Sequence, residues 1–134
     1  MDSSSWVSIH IRDRLQDGNI TVKDSFLYEG QFHTPEDKSK SLTEDDIDKL
    51  VIPSEGIGEV CARGRRGSEG WMDLFDGDSK ICELHWDNRS KMPVNNFEVS
   101  EENKKYKIEY SGWSPQAGPL GHVYIDISDA KKKK

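Results

Sequence analysis

Four histidines (His10, His33, His85 and His122), two cysteines (Cys61 and Cys82) and a surplus of carboxylates are the side chains able to do acid–base, nucleophilic or metal chemistry. Their spacing supports none of it. The histidines show no metal-ligand interval to one another or to the cysteines, and no serine sits in a G-x-S-x-G elbow. The acidic run Glu44, Asp45, Asp46 and Asp48 lacks the alternating oxygens, central glycine and distal glutamate of a calcium loop, so it reads as solvated surface. The expectation is a non-enzymatic chain with no metal and no cofactor. The rings are the stronger signal: Trp6, Trp71, Trp86 and Trp113, with Tyr28, Tyr106, Tyr110 and Tyr124, are many for so polar a sequence. Such rings suit a membrane–water boundary, because each joins an apolar body to a polar handle. Between them lies RGRRGSEG, where Arg63, Arg65 and Arg66 make the densest basic patch and Gly64, Gly67 and Gly70 let backbone approach a ligand closely. It lacks the Gly-Lys-Ser/Thr ending of a phosphate loop, and its plain alternative is a mobile loop charged for solubility.

The elements that must position these residues read as strands. Glu69 to Asp87 holds two apolar-rich runs around Asp76-Gly77-Asp78-Ser79, the pattern of a β-hairpin with its tip at those four residues. On the outgoing strand Cys82, Leu84 and Trp86 share one face and Ile81, Glu83 and His85 the other, so parity sends Trp86 to the core. Trp71 and Trp86 are expected near one end of the sheet, beside the loop holding Glu69. Trp6 to Arg12 alternates, with Val7, Ile9 and Ile11 on one face and Trp6 on the other, a candidate for exposure. Ile20 to Lys23 begins a second strand, extended by Phe26 to Tyr28 after an irregularity near Asp24 and Ser25, and is expected to form a hairpin with the first. Gly30 to Lys49 reads mostly as loop, with one helical turn capped by Thr43 and ending before Pro53. Further strands are expected at 57–62, 97–99, 105–110 and 121–127, the last with Val123, Ile125 and Ile127 inward. Six to eight short strands without long helices imply an all-β sandwich of two mostly antiparallel sheets.

At 134 residues the chain fits one domain, 1–130, followed by a lysine tail, 131–134, expected to be disordered. The net charge is -6, but four of the 19 basic residues are that tail, so the body sets 15 basic against 25 acidic groups and carries -10. An acidic body argues against nucleic acid and against simple attraction to anionic lipid. No run approaches the roughly 20 apolar residues of a membrane-spanning helix, and MDSSSWVSIHIRDR lacks the features of a secretory signal. A soluble product made without a classical signal is expected. Two cysteines form no disulfide framework; free buried thiols are expected, although a single bridge stays geometrically open.

Several dispersed stretches then point the same way: Trp6-Val7, Cys61 before the arginine-rich loop, Ser68-Glu69-Gly70, Asp73-Leu74, Trp86-Asp87, Asn95, Ile108-Glu109-Tyr110-Ser111-Gly112 and Gly118-Pro119-Leu120-Gly121. From Trp6 to about Ile127 the chain resembles the aegerolysins, small acidic β-sandwich proteins of fungi and bacteria. The resemblance implies non-enzymatic binding to sphingolipid-containing membranes, notably ceramide phosphoethanolamine or sphingomyelin with cholesterol. It also implies action outside the cell at target membranes, often with a larger perforin-like partner that forms the pore; bacterial relatives are linked to insect toxicity or host interaction. Carried residue by residue, it places the head-group carboxylate at Glu69 and membrane-facing rings at Trp6 and Tyr28, the latter changed from Trp. Trp86-Asp87 matches the Trp-Asp that opens the next loop. Where fungal members continue as Cys-Pro-Trp-Gly, this chain has Asn88-Arg89-Ser90-Lys91. Cys82 is an addition, and Trp71 is placed to compensate near Glu69. Arg65 or Arg66 is then expected to meet the lipid phosphate. The rival expectations are a carbohydrate-binding sandwich using the same rings as sugar platforms, and an adaptor that docks a protein partner without lipid specificity of its own.

Overall fold

Alternating apolar residues build two sheets that close on one core. A computed structural model describes residues 5–89, 94–116 and 118–130. The strands are β1 (Trp6–Asp13), β2 (Ile20–Glu29), β3 (Gln31–His33), β4 (Ser41–Leu42), β5 (Val51–Ile52), β6 (Ile57–Arg63), β7 (Glu69–Asp76), β8 (Ser79–Asp87), β9 (Asn96–Ser100), β10 (Tyr106–Ser111) and β11 (Gly121–Asp129). One helical turn, α1 (Glu44–Ile47), lies between β4 and β5. The first sheet runs β10-β11-β1-β6-β3-β4 and the second β5-β2-β7-β8-β9. Val7, Ile9 and Ile11 of β1 and Val123, Ile125 and Ile127 of β11 are buried, facing Ile20, Val22, Met72, Leu74 and Leu84 of the second sheet across a shared core. The all-β sandwich is as expected, and its pairs are antiparallel except β1 with β11.

Three expectations are corrected. β1 and β2 form no hairpin: β1 is flanked by β11 and β6, while β2 lies in the other sheet between β5 and β7. Each strand has one apolar face, and both are buried by facing each other across the core. The chain crosses at Leu15, which is fully buried. The strands number eleven among the described residues rather than six to eight, because β3, β4 and β5 are two- or three-residue ladders that borrow their register from a partner. Ile81 does not face outward. Leu74 pairs with Cys82 and Phe75 with Lys80, so Ile81 is an extra residue in a bulge and both it and Cys82 turn inward.

The irregularity at Asp24 and Ser25 is present: the β2–β7 register shifts between Lys23 and Phe26, and Asp24 has φ 53°. α1 satisfies the amides this frees. Asp48 Oδ1 accepts from Ser25 N at 3.0 Å, and Glu44 Oε2 accepts from Leu27 N at 3.1 Å. The turn is held by a capping box between Thr43 and Asp46. The hairpin tip falls at Gly77-Asp78, between β7 and β8. Residues 131–134 lie outside the described residues.

Candidate functional site

The Ile81 bulge decides which side chains meet Glu69. Counting outward from Asp76–Ser79 without interruption sets Glu69 opposite Trp86, on the core side. The extra residue moves its partner to Asp87 and pairs Trp71 with His85, so Glu69, Trp71, His85 and Asp87 share the outer face of the second sheet. Glu69 is the first residue of β7 rather than part of the preceding loop, and it is 8% exposed.

Arg89 follows two residues after Asp87 and bridges the two carboxylates. Its Nε and Nη2 donate to Asp87 at 3.0 and 2.9 Å, and Nε lies 3.3 Å from Glu69 Oε1. Burial pushes the Asp87 carboxyl up, but the hydrogen bonds and charge of Arg89 outweigh it and hold the group below its ordinary value. The Arg89 guanidinium is held above its own. Gly67 makes room for this segment: its φ is 92°, and a Cβ there would lie 2.1 Å from Asn88 O. On the other side of Glu69, His85 Nε2 is 2.9 Å from Oε2, while His85 Nδ1 is 3.6 Å from Glu98. Trp71 stacks on His85, and Phe26, half exposed, lies 5.9 Å from Trp71. A second register shift, between Leu27 and Glu29, turns Tyr28 outward to 61% exposure, with the Arg89 guanidinium 5.9 Å from its ring.

The site residues expected from the sequence are thus divided. Glu69, Tyr28, Trp71 and Asp87 come together. Trp86 does not reach the surface: its ring is fully buried against Phe32, and its indole N–H donates to Ser68 Oγ at 3.1 Å, so it shapes the site from beneath. Arg65 and Arg66 are exposed in the turn closed by Gly67 N–H to Gly64 O, and the cation on Glu69 is Arg89 instead. Ser90 and Lys91 lie outside the described residues. Trp6 is half-buried on the first sheet, edge-on to His122 at 5.1 Å. Arg89, His85 and Phe26 were missed by sequence reasoning. The β8 parity places His85 on the same face as Asp87, which is the signal that finds it; Phe26 on β2 and Arg89 beyond β8 reach that face only through strand pairing and the loop that follows.

A second polar cluster covers the outer face of the first sheet. Register sets Ser8 beside Cys61 and His122, and His10 beside Glu59 and Tyr124. His10 Nε2 is 2.9 Å from His122 Nδ1 and 3.1 Å from Ser8 Oγ. The Ser8 hydroxyl donates to Glu59 at 2.5 Å, away from the imidazole that would have to activate it, and Ser8 is buried. Among the described residues no group of three or more His, Cys, Asp or Glu is arranged to hold a metal, and no helix is long and apolar enough to cross a membrane.

Comparison with known proteins follows the same line. The family model described as Aegerolysin matches residues 4–130. Terrelysin of Aspergillus terreus is 80% identical over 131 residues, covering 98% of this chain and 93% of that protein. Asp-hemolysin of Aspergillus fumigatus is 29% identical, covering 92% of each. Among solved structures, IP-1A from Alcaligenes faecalis superimposes with a TM-score of 0.85 at 26% identity, over 98% of this chain and 95% of that one.

Proposed function

The chain belongs to the aegerolysin family, and from the arrangement around Glu69 we propose that it is a non-enzymatic membrane-binding protein that recognises a sphingolipid head group. Ceramide phosphoethanolamine, or sphingomyelin with cholesterol, has the required chemistry: a phosphate and an amine or quaternary ammonium on one short stem. The observation that carries the reading is a carboxylate pair, Glu69 and Asp87, sharing one guanidinium at the foot of an exposed aromatic group. The formal charges of Glu69, Asp87 and Arg89 sum to one negative charge, which favours a cation. Trp71, Tyr28 and Phe26 supply ring faces for it and apolar surface for the bilayer boundary. Arg89 takes the phosphate role first expected of Arg65 or Arg66, because it is already fixed beside Glu69.

A zwitterionic target also fits a chain whose net charge is -6. Each head-group contact is modest, and many copies on one surface raise binding by avidity. In this reading the protein marks the membrane and acts with a larger perforin-like protein that forms the pore; the name of its relative Asp-hemolysin is consistent with lysis. The test is sedimentation with liposomes of phosphatidylcholine and cholesterol, with and without ceramide phosphoethanolamine or sphingomyelin, alongside Glu69→Ala. Sphingolipid-dependent binding that the variant loses supports the reading. Binding to none of these vesicles overturns it, and competition by a soluble sugar redirects it to a glycan.

A further inference from the structure

The basic loop is not used by the Glu69 site, and its arginines face a different feature. Arg63, half-buried at the end of β6, is registered between Trp6 of β1 and Gln31 of β3, so strands on both sides hold it. Together with Lys38 it lines two adjoining depressions. One is a recess of about 240 Å³ walled by Trp6, Val7 and Cys61. The other is a groove of about 450 Å³ where Arg65 adds a third cation and Gln31, Ser39 and Ser41 add neutral polar groups.

Lys38, Arg63 and Arg65 have no carboxylate within ion-pair distance, as is also true of Arg12, Lys40, Lys49, Arg66, Lys104 and Lys105 among the described residues; what distinguishes the three is that they line the same pair of adjoining depressions. Of the nearby carboxylates, Glu59 is engaged by Ser8 and Cys61 and Asp37 by the Ser39 hydroxyl and amide, while Glu36, close enough for its charge to act on Cys61, is the one left to face the cations. Like charges gathered without counter-charge are unfavourable unless an anion joins them. The net negative charge of the protein does not prevent this, because ionic screening limits its reach to about 8 Å at physiological salt.

We infer that this groove is a second, anionic subsite, taking a phosphate or sulfate ester whose oxyanion meets Lys38, Arg63 and Arg65 while its apolar stem lies against Trp6. It opens at the same end of the sandwich as Glu69 but on the other sheet, and does not depend on Glu69.

The test titrates the ¹⁵N-labelled full chain with phenyl phosphate at constant ionic strength. In parallel, sedimentation is measured with phosphatidylcholine vesicles with and without dicetyl phosphate. The variants are Lys38→Gln/Arg63→Gln/Arg65→Gln, Arg63→Lys as a charge-preserving control for folding, and Glu69→Ala. The expected result is saturable shifts at the amides of residues 38–41 and 63–65, about tenfold weaker in the triple variant and retained in Glu69→Ala. Dicetyl phosphate raising sedimentation of the wild type but not of the triple variant assigns the ester to a membrane. Phenyl phosphate binding without that increase assigns it to a soluble ester, and the subsite stands in either case. No saturable shift in the groove, or equal shifts in the triple variant, overturns the inference. Because Glu69→Ala is read on sphingolipid vesicles as well, failure of the groove and failure of the head-group reading are distinct results.

Discussion

Trp71 lies flat on His85, with ring centroids 4.5 Å apart and planes 11° apart, and this stack aims the imidazole Nε2 at Glu69, 2.9 Å away. A carboxylate only accepts, so Nε2 carries the proton. His85 is therefore a positioning residue: it fixes the carboxylate from one side as Arg89 does from the other. His85→Ala is expected to cost about 1–3 kcal/mol in urea unfolding, from the lost stack and charge-assisted hydrogen bond. Sedimentation with sphingolipid vesicles should fall about tenfold, the scale set by such a bond. His85→Gln, which keeps a donor, should recover part of the binding without recovering the stack. Equal binding by all three proteins would remove His85 from the site.

Acid stability tests Asp13, which is fully buried at the end of β1. Its Oδ1 accepts from Leu15 N at 2.9 Å, and Oδ2 has no hydrogen-bond partner among the described residues. Burial raises its pKa, the Leu15 amide opposes this, and the charges of Asp76, Glu55 and Asp129 add to the rise. A carboxyl whose folded pKa lies above its unfolded value of about 3.9 costs stability once it ionises in the folded state. Wild type should therefore lose this contribution as pH rises from about 4 through the folded value. Asp13→Asn keeps the acceptor and removes the charge. Its Tm should exceed that of wild type at neutral pH, and the gap should close on acidification. A variant less stable at every pH would mean that the unpaired amide N–H costs more than the charge did.

The sequence made the core legible where alternation was uninterrupted, as in β1 and β11, and made the turns legible where Asp76–Ser79 and Thr43 supplied local chemistry. It failed where a partner strand sets the outcome. The face of Ile81 depends on a bulge that only the β7 register defines, and that same bulge brings Glu69 and Asp87 together. The sheet to which β2 belongs depends on β1 having both edges filled. His10 and His122, 112 positions apart, meet only through the parallel pairing of β1 with β11. Local pattern determines which way a side chain points where pairing is regular; register determines what it meets and, at the Ile81 bulge, which way it points.

The thiols should be silent in the folded protein. Cys82 is fully buried and its thiol is pushed up to about 12 by that burial, with Glu102 and Asp73 adding to it. Burial pushes Cys61 up to about 11, against a smaller lowering by Ser8. The thiolate is the reacting species, so at mildly alkaline pH neither should react with a disulfide reagent on the timescale of the unfolded chain. Cys61, which lines the recess under Trp6, should react first. Prompt reaction of both thiols in the native protein would contradict their burial.

Gly70 is the point where core and site constrain each other. It pairs with Trp86 across β7 and β8, and a Cβ there would lie 2.6 and 2.9 Å from the indole ring and 2.9 Å from Leu27 Cδ1. The Trp86 ring is fully buried and held through its N–H on Ser68, so it has little room to yield. Gly70→Ala should therefore destabilise by about 1–3 kcal/mol despite its better strand propensity, as overpacking does. The strain should be felt on both neighbours of Gly70. Glu69 and Trp71 are adjacent in the chain, so sphingolipid-vesicle binding should drop together with the urea midpoint. A variant with unchanged midpoint and unchanged binding would show that Trp86 can move, and that the buried ring does not hold the site in place.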